Sequence, residues 1–81
     1  MYAINVRKIT MSRSRKILFI HMSTKHNDDV IPYGFNELLA VIESTNCRKV
    51  IVKGTKTLYV RRLIDKLRGN ISDRYIYFRE I

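Results

Sequence analysis

The run Gly54-Thr55-Lys56-Thr57 sets two hydroxyls and an amine beside a glycine, the composition of a turn that could cradle a phosphate. The G-x-x-x-x-G-K-[ST] spacing of nucleotide loops needs an earlier glycine and a lysine directly after the second one; this run has neither, so a nucleotide loop is rejected. The other reactive side chains are His21, His26, Cys47, Asp28 and Asp29. Structural zinc wants about four closely spaced Cys or His ligands, and one thiol with two imidazoles spread from His21 to Cys47 is a poor set. Asp28, Asp29 and His26 could hold Mg²⁺ near a phosphate, as a small nuclease would. Capping of a following helix explains the same two acids more simply. No metal or cofactor is expected.

Cationic chemistry is far better supplied. Sixteen Lys and Arg face seven Asp and Glu, a formal net charge of +9 on 81 residues. A small body with that charge attracts polyanions at a distance, which makes nucleic acid the leading partner class. A membrane is not expected, because no run reaches about 18 apolar residues and no secretory signal is visible. One cysteine makes no internal disulfide and fits a reducing compartment. A chain of this length forms one domain and buries only about 60–65% of its unfolded surface, too little for a roomy internal active site.

The basic residues fall in groups. Arg13, Arg15 and Lys16 lie in a Ser- and Arg-rich segment that reads either as a solvated arm or as a phosphate contact. Lys53 and Lys56 flank the Gly54 turn. Arg61, Arg62, Lys66 and Arg68 face outward from a helix with only Asp65 among them, Arg61 and Asp65 standing as an i, i+4 pair. That face is either solvated or, with Arg74 and Arg79 nearby, a path for a phosphate backbone. Tyr75 and Tyr77 share one strand face and would be core, a dimer surface or a platform for unpaired bases.

The elements that position these groups follow from periodicity. Tyr2, Ile4 and Val6 alternate with polar residues, as in a half-exposed edge strand. Ile17-Leu18-Phe19-Ile20 and Val50-Ile51-Val52 are continuous apolar runs that predict neighbouring strands, the second covered on both faces. A helix is predicted from Val30-Ile31-Pro32, capped by Asp28 or Asp29, with Phe35, Leu38, Leu39 and Ile42 on its apolar stripe and an end near Thr45-Asn46. Gly54 is expected to permit a close backbone turn, and Thr55 or Thr57 to cap a second helix whose stripe is Val60, Leu63, Ile64 and Leu67, stopping near Gly69-Asn70. Tyr75-Ile76-Tyr77-Phe78 predicts a last strand. The expectation is a small two-layer α/β sandwich over 1–81, β-β-α-β-α-β with a mixed four-stranded sheet, a basic strand and arm at 1–16 and a core at 17–81.

That core resembles the Alba-type fold. The likeness rests on the first core strand, the loop Ser23-Thr24-Lys25, a helix ending in Leu38-Leu39, the strand Lys49-Val50-Ile51-Val52, the turn Lys53-Gly54 and the helix Val60 to Leu67. It is closest to the Alba-like protein subunits of ribonuclease P and ribonuclease MRP, the first of which processes tRNA. The resemblance implies a non-catalytic RNA-binding subunit that works as a homo- or heterodimer with another Alba-like chain, in the nucleus or nucleolus; without it, the cytoplasm is the default. It implies RNA contacts at Ser23, Thr24, Lys25, Lys53 and Lys56. Chain topology leads to the same two loops, since both leave the C-terminal ends of parallel strands and run to helix N-termini, where free amides favour a phosphate. Arg13, Arg15, Lys16, Arg61 and Arg62 complete the candidate RNA-contacting set, with DNA as a second polyanion. The competing expectation is a protein-interaction subunit whose basic charge meets an acidic partner chain through the Tyr75 strand or the Phe35 helix.

Overall fold

The computed structural model describes residues 3–23 and 29–81. The expected strand start at Tyr2, the contacts at Thr24 and Lys25, and the groups His26 and Asp28 therefore lie outside the described residues. The elements are β1 (Ile4–Ser12), β2 (Ile17–Met22), β3 (Ile31–Tyr33), α1 (Phe35–Thr45), β4 (Lys49–Gly54), α2 (Leu58–Asn70) and β5 (Tyr75–Glu80). They build one mixed sheet of order β3-β1-β2-β4-β5, antiparallel on the β1 side and parallel from β2 to β5.

The small α/β sandwich stands, but its sheet has five strands, not four. The added strand is β3, where a helix start was expected. Ile31, Pro32 and Tyr33 pair with Val6, Asn5 and Ile4. Proline serves there because β3 is an edge strand, with no further neighbour to need its amide. Strand β1 is consequently interior, not an edge. The helix begins after Gly34, whose extended backbone (φ −70°, ψ 158°) makes it the N-cap in place of Asp28 or Asp29. Glu37 reaches back to accept the Gly34 N–H at 3.1 Å, half of a capping box.

Both helices bury their apolar stripes against one sheet face. Leu38 and Ile42 of α1 and Val60, Leu63, Ile64 and Leu67 of α2 join a single cluster with Ile4, Val6, Leu18, Ile20, Val50, Val52 and Ile76. Thr57 caps α2 as the sequence predicts, accepting the Val60 N–H at 3.2 Å. Asn46 ends α1 in the left-handed region at φ 54°. Gly54 adopts no positive φ. Its requirement is closeness instead: a Cβ there would sit 3.1 Å from Met22 Cβ, where β2 and β4 converge.

Arg74 fastens the two ends of the layer. Its side chain is only 6% exposed and meets Glu43 at 2.9 Å and Asp73 at 3.2 Å. Its Nε also donates to the Cys47 carbonyl at 2.8 Å. A second feature is energetic cost at the β1–β2 turn, where Lys16 carries φ 55°. A left-handed side-chain-bearing residue costs about 1–2 kcal/mol. Chemical denaturation should therefore show Lys16→Gly stabilising the fold by about 1 kcal/mol, and Arg74→Leu destabilising it by about 2–3 kcal/mol through the lost charged hydrogen bonds.

Candidate nucleic-acid interface

Side chains alternate across the sheet, so placing Leu18, Ile20, Val50, Val52 and Ile76 under the helices sends their neighbours to the other face. The strand registers arrange that face in rows. Ile17, Lys49 and Tyr75 form one; Thr10, Phe19, Ile51 and Tyr77 form the next; Lys8, His21, Lys53 and Arg79 form the third. Adjacent rows are about 7 Å apart, two residues along a strand. Among the described residues no helix covers this face, and no Asp or Glu occupies one of these positions.

An irregularity in β1 enriches the third row. The register slips between Val6, opposite Met22, and Lys8, opposite His21, leaving Arg7 as the extra residue. A bulge of this kind aims consecutive side chains the same way. It also returns Ile9 and Met11 to the helix-covered side, where both pack on the core. His21 reports the resulting field. Partial burial is the first cause that pushes its pKa below the ordinary 6.5, and the positive charges of Lys8, Lys53 and Arg7 add to it. His21 Nε2 lies 3.2 Å from Thr10 Oγ1.

The tyrosines of the first two rows are accessible. Tyr75 is 66% exposed and Tyr77 46%, with ring centroids 6.3 Å apart and planes within 14°. Ile51 between Phe19 and Tyr77 is only 7% exposed. It is shielded by flanking side chains, not by the second covering layer expected for the Val50-Ile51-Val52 run. Lys53 Nζ lies 5.9 Å from the Phe19 ring centroid, a contact worth about 0.5–1 kcal/mol at an exposed site and readily exchanged for a phosphate.

The residues singled out in the sequence do not form one surface. Lys53 is on the open face. Arg13, Arg15 and Lys16 form the exposed β1–β2 turn at the opposite end of the parallel strands, where the Lys16 carbonyl accepts the Arg48 and Lys49 amides. Ser23 does meet the Gly54 turn: with Thr55, Thr57 and Tyr59 it lines a cleft of about 300 Å³. Lys56 opens instead onto a larger groove of about 520 Å³ beside α2, shared with Arg61, Arg68 and Phe78. Arg61 and Arg62 are exposed on the helix layer.

The expected joint surface of α2 with Arg74 and Arg79 does not exist. Arg74 is held internally, and Arg79 lies on the far side of the sheet. Lys66 sits 4.3 Å from the Phe35 ring centroid, and Arg68 donates twice to the Ile76 carbonyl at 3.1 and 2.7 Å. Among the described residues the ion pairs are those of Arg74, so Arg61 and Asp65 stay apart. The sequence reading does not single out Phe19, His21, Lys8, Arg7 or Lys49 as candidates for this face. Their signal was the phase of the apolar pattern, which shifts between Val6 and Ile9.

Among the described residues no group of three or more His, Cys, Asp or Glu could hold a metal ion, and no helix is long and apolar enough to cross a membrane. Cys47 is buried and unpaired. Comparison with protein-family models, curated proteins and solved structures finds no match.

The field around His21 is measurable. Its imidazole should titrate below 6.5 by NMR, and Lys53→Gln should move the midpoint upward, less so at high salt. The sign for stability follows: the unfolded chain takes up this proton first as pH falls. Stability from His21 is thus fully present above 6.5 and declines as pH drops from 6.5 toward the folded value.

Proposed function

We propose that this chain is a non-catalytic RNA-binding subunit of a ribonucleoprotein, and that the RNA backbone lies on the helix-free face of the sheet. The observation that carries the reading is the third row, Lys8-His21-Lys53-Arg79, reinforced by Arg7 and unopposed by any acid at a register position. Electrostatic attraction to phosphate supplies most of the affinity in such a site. The formal net charge of +9 extends that attraction beyond contact distance. Arg13, Arg15 and Lys16 at one end and Ser23 and Lys56 at the other would extend the path past the sheet. The Alba-type resemblance of 17–81 adds the setting: a ribonuclease P- or MRP-like particle, a second Alba-like chain as partner, and tRNA processing in the nucleus or nucleolus.

A second reading has its own observation. The groove of about 520 Å³ along α2 joins Lys56 and Arg61 to exposed Leu58 and to Phe78 of the edge strand β5. An acidic partner chain fits that mixture of charge and apolar surface, and a protein-interaction subunit would use it without RNA.

Salt titration separates the two. RNA affinity should fall steeply with salt, by about 0.7 in log–log slope for each single-strand phosphate neutralised. Lys53→Gln with Arg79→Gln should flatten that slope by about 1.4, whereas Arg61→Gln with Arg62→Gln should change it little. A slope near zero in the parent protein overturns the RNA reading. Cleavage of the RNA when Mg²⁺ is added overturns its non-catalytic part.

A further inference from the structure

We infer that the open sheet face takes unpaired nucleobases, with Phe19, Tyr75 and Tyr77 as the stacking platform beside the cationic row. This rests on the RNA-binding reading and adds to it the class of ligand: single strands, not duplexes. Tyr75 and Tyr77 do no work in the core, which is built on the other face without them. They are nonetheless large and exposed, with near-parallel rings, a costly arrangement of apolar surface that a stacked base would cover.

Register supplies the geometry. Phe19 and Tyr77 occupy one row on either side of Ile51, and Lys8, His21, Lys53 and Arg79 occupy the next. The rows run across the strands about 7 Å apart. A nucleic-acid strand crossing β1, β2, β4 and β5 can therefore keep its phosphates on the cations while its bases lie on the rings. Lys53, now over the Phe19 ring, would move to phosphate and free that ring for a base. A duplex hides its base faces, and the deep, narrow major groove of an RNA helix admits no sheet. Charge complementarity favours this occupant over a second copy of a chain with net charge +9.

The test is equilibrium binding of the full chain to four probes of equal length, about ten nucleotides. They are oligouridylate, the same backbone without bases, an RNA duplex, and oligothymidylate. Oligouridylate should bind about tenfold or more tighter than the abasic strand and tighter than the duplex. Tyr77→Leu and Tyr75→Leu should each lose about tenfold for oligouridylate and nothing for the abasic strand, while Tyr77→Phe keeps the affinity. Because the chain has no Trp, its Tyr emission is directly visible and should be quenched by oligouridylate. Oligothymidylate tells RNA from DNA as the source of the bases, and either preference supports stacking. Equal affinity for the oligouridylate and abasic strands, indifference to both leucine substitutions, or tighter duplex binding overturns the inference while leaving the RNA reading intact. A stable dimer whose Tyr emission ignores oligouridylate also overturns it. Failure of every probe to bind removes both.

Discussion

Every other feature of this molecule depends on the single-sided burial of its sheet. The apolar stripes of α1 and α2 close over the same face, and that one core contains Ile4, Val6, Leu18, Ile20, Val50, Val52 and Ile76. A chain this short has enough apolar side chains for one such layer, not two. Pleating then dictates the rest: for each residue sent inward, its neighbours face out. The uncovered face is not a residue of folding with random content. It collects aromatic side chains in its first two rows and most of its cations in the third, and no acid occupies these positions.

The same economy fixes which cations remain available. Near the C-terminal ends of β2 and β4 the close approach at Gly54 draws Ser23 toward the start of α2. At the other end Arg74 ties Glu43, Asp73 and the Cys47 carbonyl together, so its charge is spent on structure. Arg68 holds a carbonyl on the exposed edge of β5, which also hinders another strand from pairing there. Lys66 covers Phe35. What looks in the sequence like one basic helix face is divided between fastening and solvent. Among the described residues, Lys8, Lys53 and Arg79 on the open sheet make no such ties apart from the loose contact of Lys53 with Phe19.

Much of the fold was legible because its signals are local. The stripes Phe35-Leu38-Leu39-Ile42 and Val60-Leu63-Ile64-Leu67, the Thr57 cap and the pairing of the Ile17 and Val50 strands all follow from spacing and short-range chemistry. Ile31-Pro32-Tyr33 was not legible: proline suits the first turn of a helix as well as a strand edge, and only pairing with β1 decides between them. Ile51 misled because a triplet of β-branched residues implies two covering layers, whereas flanking side chains shield it here. Of the candidate site, the turn lysines could be read from sequence. The platform could not, because Phe19 and Tyr77 come from strands that are distant in sequence and are brought level only by the register with β4. Spacing places Tyr75 and Tyr77 on one face, but which face lies open is a property of the assembled layers.

Amide chemical-shift mapping of isotope-labelled chain during titration with a single-stranded oligoribonucleotide tests most directly whether the uncovered sheet is the binding surface. Perturbations should concentrate at Lys8, Phe19, His21, Lys53, Tyr77 and Arg79, in β1, β2, β4 and β5, with little change at Arg61 and Arg62 on α2. Shifts confined to α2 and the groove beside Phe78, or no shifts at saturating oligonucleotide, would contradict it.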